Sequence, residues 1–89
     1  DDLRDTLAEE VKDARTVFVV YEDEDGYWCQ FRDTDLDGYD ATASCLTAAI
    51  GAREYAREFL DDVAEDDPGL VDAAEDAFAE TSAETMGQR

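Results

Sequence analysis

Asp25-Gly26 sits between two runs of β-forming residues, Val17 to Glu22 and Tyr27 to Arg32, and no other local signal in the chain fixes so much of its fold. An Asp-Gly pair in that setting predicts a β-hairpin, because glycine takes a positive φ without steric cost. Alternate residues of a strand share a face. A turn of even length, the expected one, places Phe18, Val20, Cys29 and Phe31 on one side, and Val17, Val19, Tyr21 and Trp28 on the other. Both faces are apolar, so both need cover.

The long helix that follows the hairpin is expected to pack on one face. Leu3, Leu7, Val11 and Ala14 recur at helical spacing between acidic residues, which predicts an amphipathic helix over about residues 2–14. After the hairpin, a loop from Asp33 to Asp40 leaves room for a brief third strand through Tyr39–Ala43, with Ser44 as the N-cap of a long helix. In that helix, from Cys45 to about Glu65, the residues Leu46, Ala49, Ile50, Ala56, Phe59, Leu60 and Val63 share one side, opposite Glu54, Glu58 and Asp61. Asp67-Pro68 then opens a short last helix ending near Glu80, with Leu70, Ala74, Ala77 and Phe78 as its stripe. The expectation is a single α+β domain over residues 1–80 and a loose tail over 81–89. The order is α-β-β-(β)-α-α. The second face of the hairpin (Val17, Val19, Tyr21, Trp28) is expected to meet a terminal helix, a second copy or another protein. Arg53 and Arg57, one turn apart at the border of the long helix's stripe, are candidate partner contacts. Arginine is scarce here and suits carboxylate recognition.

Composition decides what such a domain can bind. The chain has 26 acidic and 7 basic residues in 89, a net charge of −19, and Lys12 is its one lysine. Those acids alternate with regular apolar positions, so they coat a folded surface and do not mark a disordered tail. Their mutual repulsion opposes compaction in dilute salt. At 1 M the Debye length is about 3 Å, and the repulsion nearly vanishes. The charge therefore points to a protein of a salt-adapted organism. Direct nucleic-acid binding lacks the basic footprint that phosphates require.

Catalytic chemistry finds few parts. There is no histidine and no CxxC, since Cys29 and Cys45 are isolated, so zinc sites and histidine-based catalysis are excluded on ligand supply. The two cysteines read as buried reduced thiols, which fits a cytoplasmic location. No cofactor, enzyme activity, signal peptide or membrane span is expected. Asp33-x-Asp35-x-Asp37-Gly38 matches the first half of an EF-hand calcium loop, although Ser44 stands where that loop carries a bidentate glutamate. Asp33, Asp35 and Asp37 are accordingly candidate metal ligands, weighed against solvated surface charge.

The stretch from Val17 to Ile50 resembles the HicB-like antitoxin domain. Asp25-Gly26-Tyr27-Trp28 looks like that family's Gly-Tyr turn and Phe31 like the aromatic of its second strand. Asp35-Leu36-x-Gly38 looks like its loop, and Leu46, Ala49 and Ile50 like its helix start. The resemblance implies a non-catalytic module that binds and blocks a small RNA-cleaving toxin, often as a dimer or higher oligomer. The partner expected is therefore a protein, a second copy included, with no membrane and no nucleic acid. Self-assembly as a structural protein and calcium binding are the alternatives.

Overall fold

A computed structural model describes the backbone of residues 2–87 and the side chains of residues 2–81. The fold is α+β: α1 (Leu3–Val11), β1 (Thr16–Glu22), β2 (Trp28–Thr34), α2 (Gly38–Asp66) and α3 (Pro68–Gly87), around a two-stranded antiparallel sheet. Asp2 caps α1, its carboxylate accepting from the Asp5 N–H at 2.9 Å.

The hairpin turn is odd, not even, and this corrects the assignment of its faces. The Asp23 N–H donates to the Tyr27 carbonyl at 2.8 Å, and the Gly26 N–H donates to the Asp23 carbonyl at 3.0 Å. Gly26 has φ +88°. This is a three-residue loop in which a left-handed glycine ends the turn. The Asp23 carboxylate holds it by accepting from the Asp25 and Tyr27 N–H groups, each at 2.9 Å. An odd loop shifts the parity by one. Val17 pairs with Asp33, Val19 with Phe31 and Tyr21 with Cys29, while Phe18 pairs with Arg32, Val20 with Gln30 and Glu22 with Trp28. Directly paired residues share a face. Phe31 and Cys29 therefore join Val17, Val19 and Tyr21, and Trp28 moves across to Phe18 and Val20. A one-residue slip of this kind transfers every side chain of one strand to the other side.

The expected third strand is absent among the described residues. Gly38, at φ +56°, turns the chain straight from the loop into α2, and Asp37 is its N-cap. Five of the next fourteen residues are alanine, a strong helix former. Ser44, expected as the cap, lies a turn and a half inside the helix. Its hydroxyl meets that of Thr16 at 2.6 Å, and Thr16 in turn meets Thr34 at 2.8 Å. Three hydroxyls thus tie both strands to α2.

Asp67-Pro68 opens α3 as its sequence predicts, with the Asp67 carboxylate accepting from the Leu70 N–H at 3.2 Å. The helix runs on to Gly87, seven residues beyond Glu80. The rest of the expected tail, residues 88–89, lies outside the described residues. α2 packs on the Phe18 side of the sheet, and α3 packs on α2 and on β2.

The packing leaves the interior open. None of the described residues is buried. The accessible surface is 7510 Å² for a 9.9 kDa chain, where a folded monomer of that mass shows about 5,200 Å². The radius of gyration is 15.4 Å, against about 12 Å for a compact chain of this length.

Candidate protein-interaction surfaces

Two apolar surfaces remain uncovered, one on each side of the sheet. On the first, Val17 and Val19 are half-buried while Tyr21 and Phe31 are exposed. They line a groove of about 190 Å³ with Leu7 and Val11 of α1. α1 crosses this face without closing it: Leu7 stays exposed and Leu3 lies almost wholly in solvent. Three of the candidate partner residues, Val17, Val19 and Tyr21, come together here. Trp28 does not. Phe31 takes the place assigned to it, and the turn parity was the signal that could have found it.

Trp28 stands on the helix side. Its ring lies 6.5 Å from that of Phe78, tilted by 48°, so α3 partly covers it. It is still 39% exposed.

The second surface is the flank of α2. A groove of about 450 Å³ runs between the helix and the sheet, lined by Phe18, Gln30, Arg32, Cys45, Leu46 and Ala49 among others. The apolar stripe expected to pack on the sheet is instead open, with Leu46 60%, Ile50 51% and Leu60 43% exposed. The half-buried positions in the first turns of the helix are Ala41, Ala43, Ser44, Cys45, Ala48 and Ala49, of which Ser44 is hydrogen-bonded to Thr16 of β1. Arg53 and Arg57 lie along the open stripe. Both turn to one carboxylate, with Arg53 Nε 3.3 Å from Glu54 Oε2 and an Arg57 Nη 3.5 Å from Glu54 Oε1.

The calcium-loop candidates are spread over three settings. Asp33 is in β2 and accepts from the Thr34 N–H at 2.9 Å, Asp35 is in the connecting loop with its N–H on the Arg15 carbonyl at 3.0 Å, and Asp37 is the N-cap residue of α2, its side chain making no capping hydrogen bond. No three carboxylates or thiols gather as a metal site among the described residues. Changing Asp35→Asn together with Asp37→Asn should leave the melting point unchanged or slightly raised, because it thins like charge in one loop. Calorimetric titration checks this. Micromolar calcium binding in molar KCl that the double change abolishes would establish a metal site instead.

Cys29 and Cys45 are free and half-buried, not buried as the sequence suggests. Among the described residues no helix is long and apolar enough to cross a membrane. Comparison with protein-family models, with curated proteins and with solved structures finds no match to this chain.

Proposed function

We propose that this chain is a non-catalytic protein-interaction module of a salt-adapted cytoplasm, whose hydrophobic surface is closed by a protein partner. One observation carries the reading: no described residue is buried, although the chain has 44% hydrophobic residues and forms complete helices and a registered hairpin. Secondary structure without a closed core leaves apolar surface of the size that marks interfaces. Burial of each such side chain stabilises by about 1.5–3 kcal/mol, so association has a large driving force. The hairpin, loop and following helix agree in order with the HicB-like antitoxin domain, and support a module of that type. The missing third strand is a departure from it.

A titration over protein concentration at molar salt tests the reading. Dilute protein should bind a hydrophobic dye and melt broadly. The dye signal should fall and the transition sharpen as a partner is supplied, either by more of the same chain or by the product of the neighbouring reading frame. Dilute protein that excludes the dye and melts sharply would be a self-sufficient monomer, and the reading would fail.

A further inference from the structure

We infer that the open stripe of α2 is the face by which two copies of this chain pair, antiparallel, across a two-fold axis near Arg53. The inference rests on the interaction-module reading above and names the occupant of one of its surfaces.

The distribution of acids singles out this face. Seven of the 26 acidic residues lie in α2, at 40, 54, 58, 61, 62, 65 and 66. At about 100° per residue they all fall within one side of the helix, less than half its circumference. The opposite side carries Thr42, Leu46, Ala49, Ile50, Leu60 and Ala64, and its only charges are Arg53 and Arg57. A largely exposed face without one acid is anomalous in a chain of net charge −19, although Ala49 and Ala64 on it are half-buried. It is what an interface core requires, since charged groups are depleted there.

The second copy follows from spacing, charge and area. Leu46, Arg53 and Leu60 repeat at seven residues, with Ala49, Ala56 and Val63 three residues after each, which is the seam of a helix pair. Leu46 and Leu60 lie at equal distances on either side of Arg53. An antiparallel copy therefore sets each leucine against the other's counterpart, the self-complementarity that a two-fold contact demands. Arg53 and Arg57 already lean toward Glu54, away from the seam. Across the axis Arg53 lies level with its counterpart in the second copy and within one residue's rise of that copy's Glu54, while Arg57 lies five residues from it. A basic partner has no reason to choose this face, because all the acids of α2 lie elsewhere. The surface of 7510 Å² exceeds that of a compact monomer by about 2,300 Å², an excess shared between this stripe, the hairpin groove and the rest of the chain. Obligate homodimers bury about 1,000–2,500 Å² per chain.

Sedimentation equilibrium on the full chain in molar KCl, across concentration, tests the pairing. The wild type should be a dimer that tightens as salt rises, because like-charged copies are being screened; pairing with a basic partner weakens with salt. Ile50→Asp should weaken dimerisation at least about 100-fold by placing an unpaired carboxylate on the flank of the seam, next to Ala49. Tyr55→Asp adds the same charge to the acidic side and should leave the dimer intact. Far-UV circular dichroism should match the wild type in both, since Ile50 is half exposed in the single chain. If Ile50→Asp unfolds, Leu46→Ala with Leu60→Ala, which adds no charge, reads the same seam. A dimer that survives the seam substitutions overturns the inference, and so does a monomeric wild type. A monomer that binds a hydrophobic dye leaves the interaction-module reading standing with a different occupant. A monomer that excludes the dye removes both.

Discussion

Transfer from molar potassium chloride to about 0.1 M salt should unwind the second half of α2 and its corner with α3 before any other part of the protein, because the Debye length then grows to about 10 Å. Glu54, Glu58, Asp62 and Asp66 stand at successive i,i+4 positions, and Asp61 and Glu65 form another such pair. Like charges at that spacing destabilise a helix by about 0.2–0.5 kcal/mol per pair, so these four pairs together cost about 1–2 kcal/mol in dilute salt. The helix end aggravates the loss. Its last turn carries Glu65 and Asp66 with no basic residue, where the macrodipole is already negative. Tertiary packing cannot absorb the penalty, since Tyr55, Phe59 and the acids around them are all exposed. Hydrogen exchange in low and molar salt should show protection lost first over residues 54–67. Asp62→Arg turns two repulsive steps into attractive ones, against Glu58 and Asp66, and should restore much of the helical signal at low salt. A melting curve that is the same at about 0.1 M and at molar salt would end the reading of the charge as salt adaptation.

Element types and their order were legible in the sequence because they depend on local chemistry. Asp-Gly between β-rich runs, Asp67-Pro68 as a helix opening, and the helical spacing of Leu3, Leu7 and Val11 each act within a few residues. What was not legible depends on geometry at longer range. Loop parity is one case: Asp25-Gly26 is compatible with a two-residue and a three-residue turn, and the Asp23 carboxylate decides between them by holding two N–H groups of the longer one. The start of α2 is another. Tyr39 to Ser44 carries no strong apolar period, so the sequence suggests a loop with a brief strand through Tyr39–Ala43, whereas the turn at Gly38, with its positive φ, takes these residues into the helix. The candidate site was half legible for the same reasons. Its apolar residues were identified by type, but their partition between faces followed a parity that only the closed hairpin reveals. The stripe of α2 was read as packing on the sheet because periodicity reports that a helix has an apolar side, not what that side meets.

Trp28→Ala should lower the melting temperature by about 10 °C at molar salt and leave self-association unchanged. The magnitude follows from partial burial: truncating a fully buried tryptophan costs about 3–5 kcal/mol, and Trp28 keeps 39% of its surface in solvent. A loss of about 2 kcal/mol remains, and in a domain of this size each kcal/mol shifts the transition by about 4–8 °C. The loss falls on one joint. Trp28 opens β2 on the helix side of the sheet, and its ring meets Phe78 at 6.5 Å, so removing it unfastens α3 from the strand. Phe78→Ala should reproduce most of the effect, and the two changes together should cost less than their sum, since each removes the same contact. Phe31→Ala makes the contrast. Phe31 lies on the opposite face, 52% exposed, against Val19 and the loosely seated α1. Its truncation should cost less stability and should weaken any association made through the groove with Val17, Val19 and Tyr21. Had the turn been even, Trp28 and Phe31 would exchange these roles. Thermal melts and sedimentation on the two single variants thus read out the parity of the hairpin itself: a Phe31→Ala protein that melts lower than Trp28→Ala, with association lost in the tryptophan variant, would place the faces the other way round.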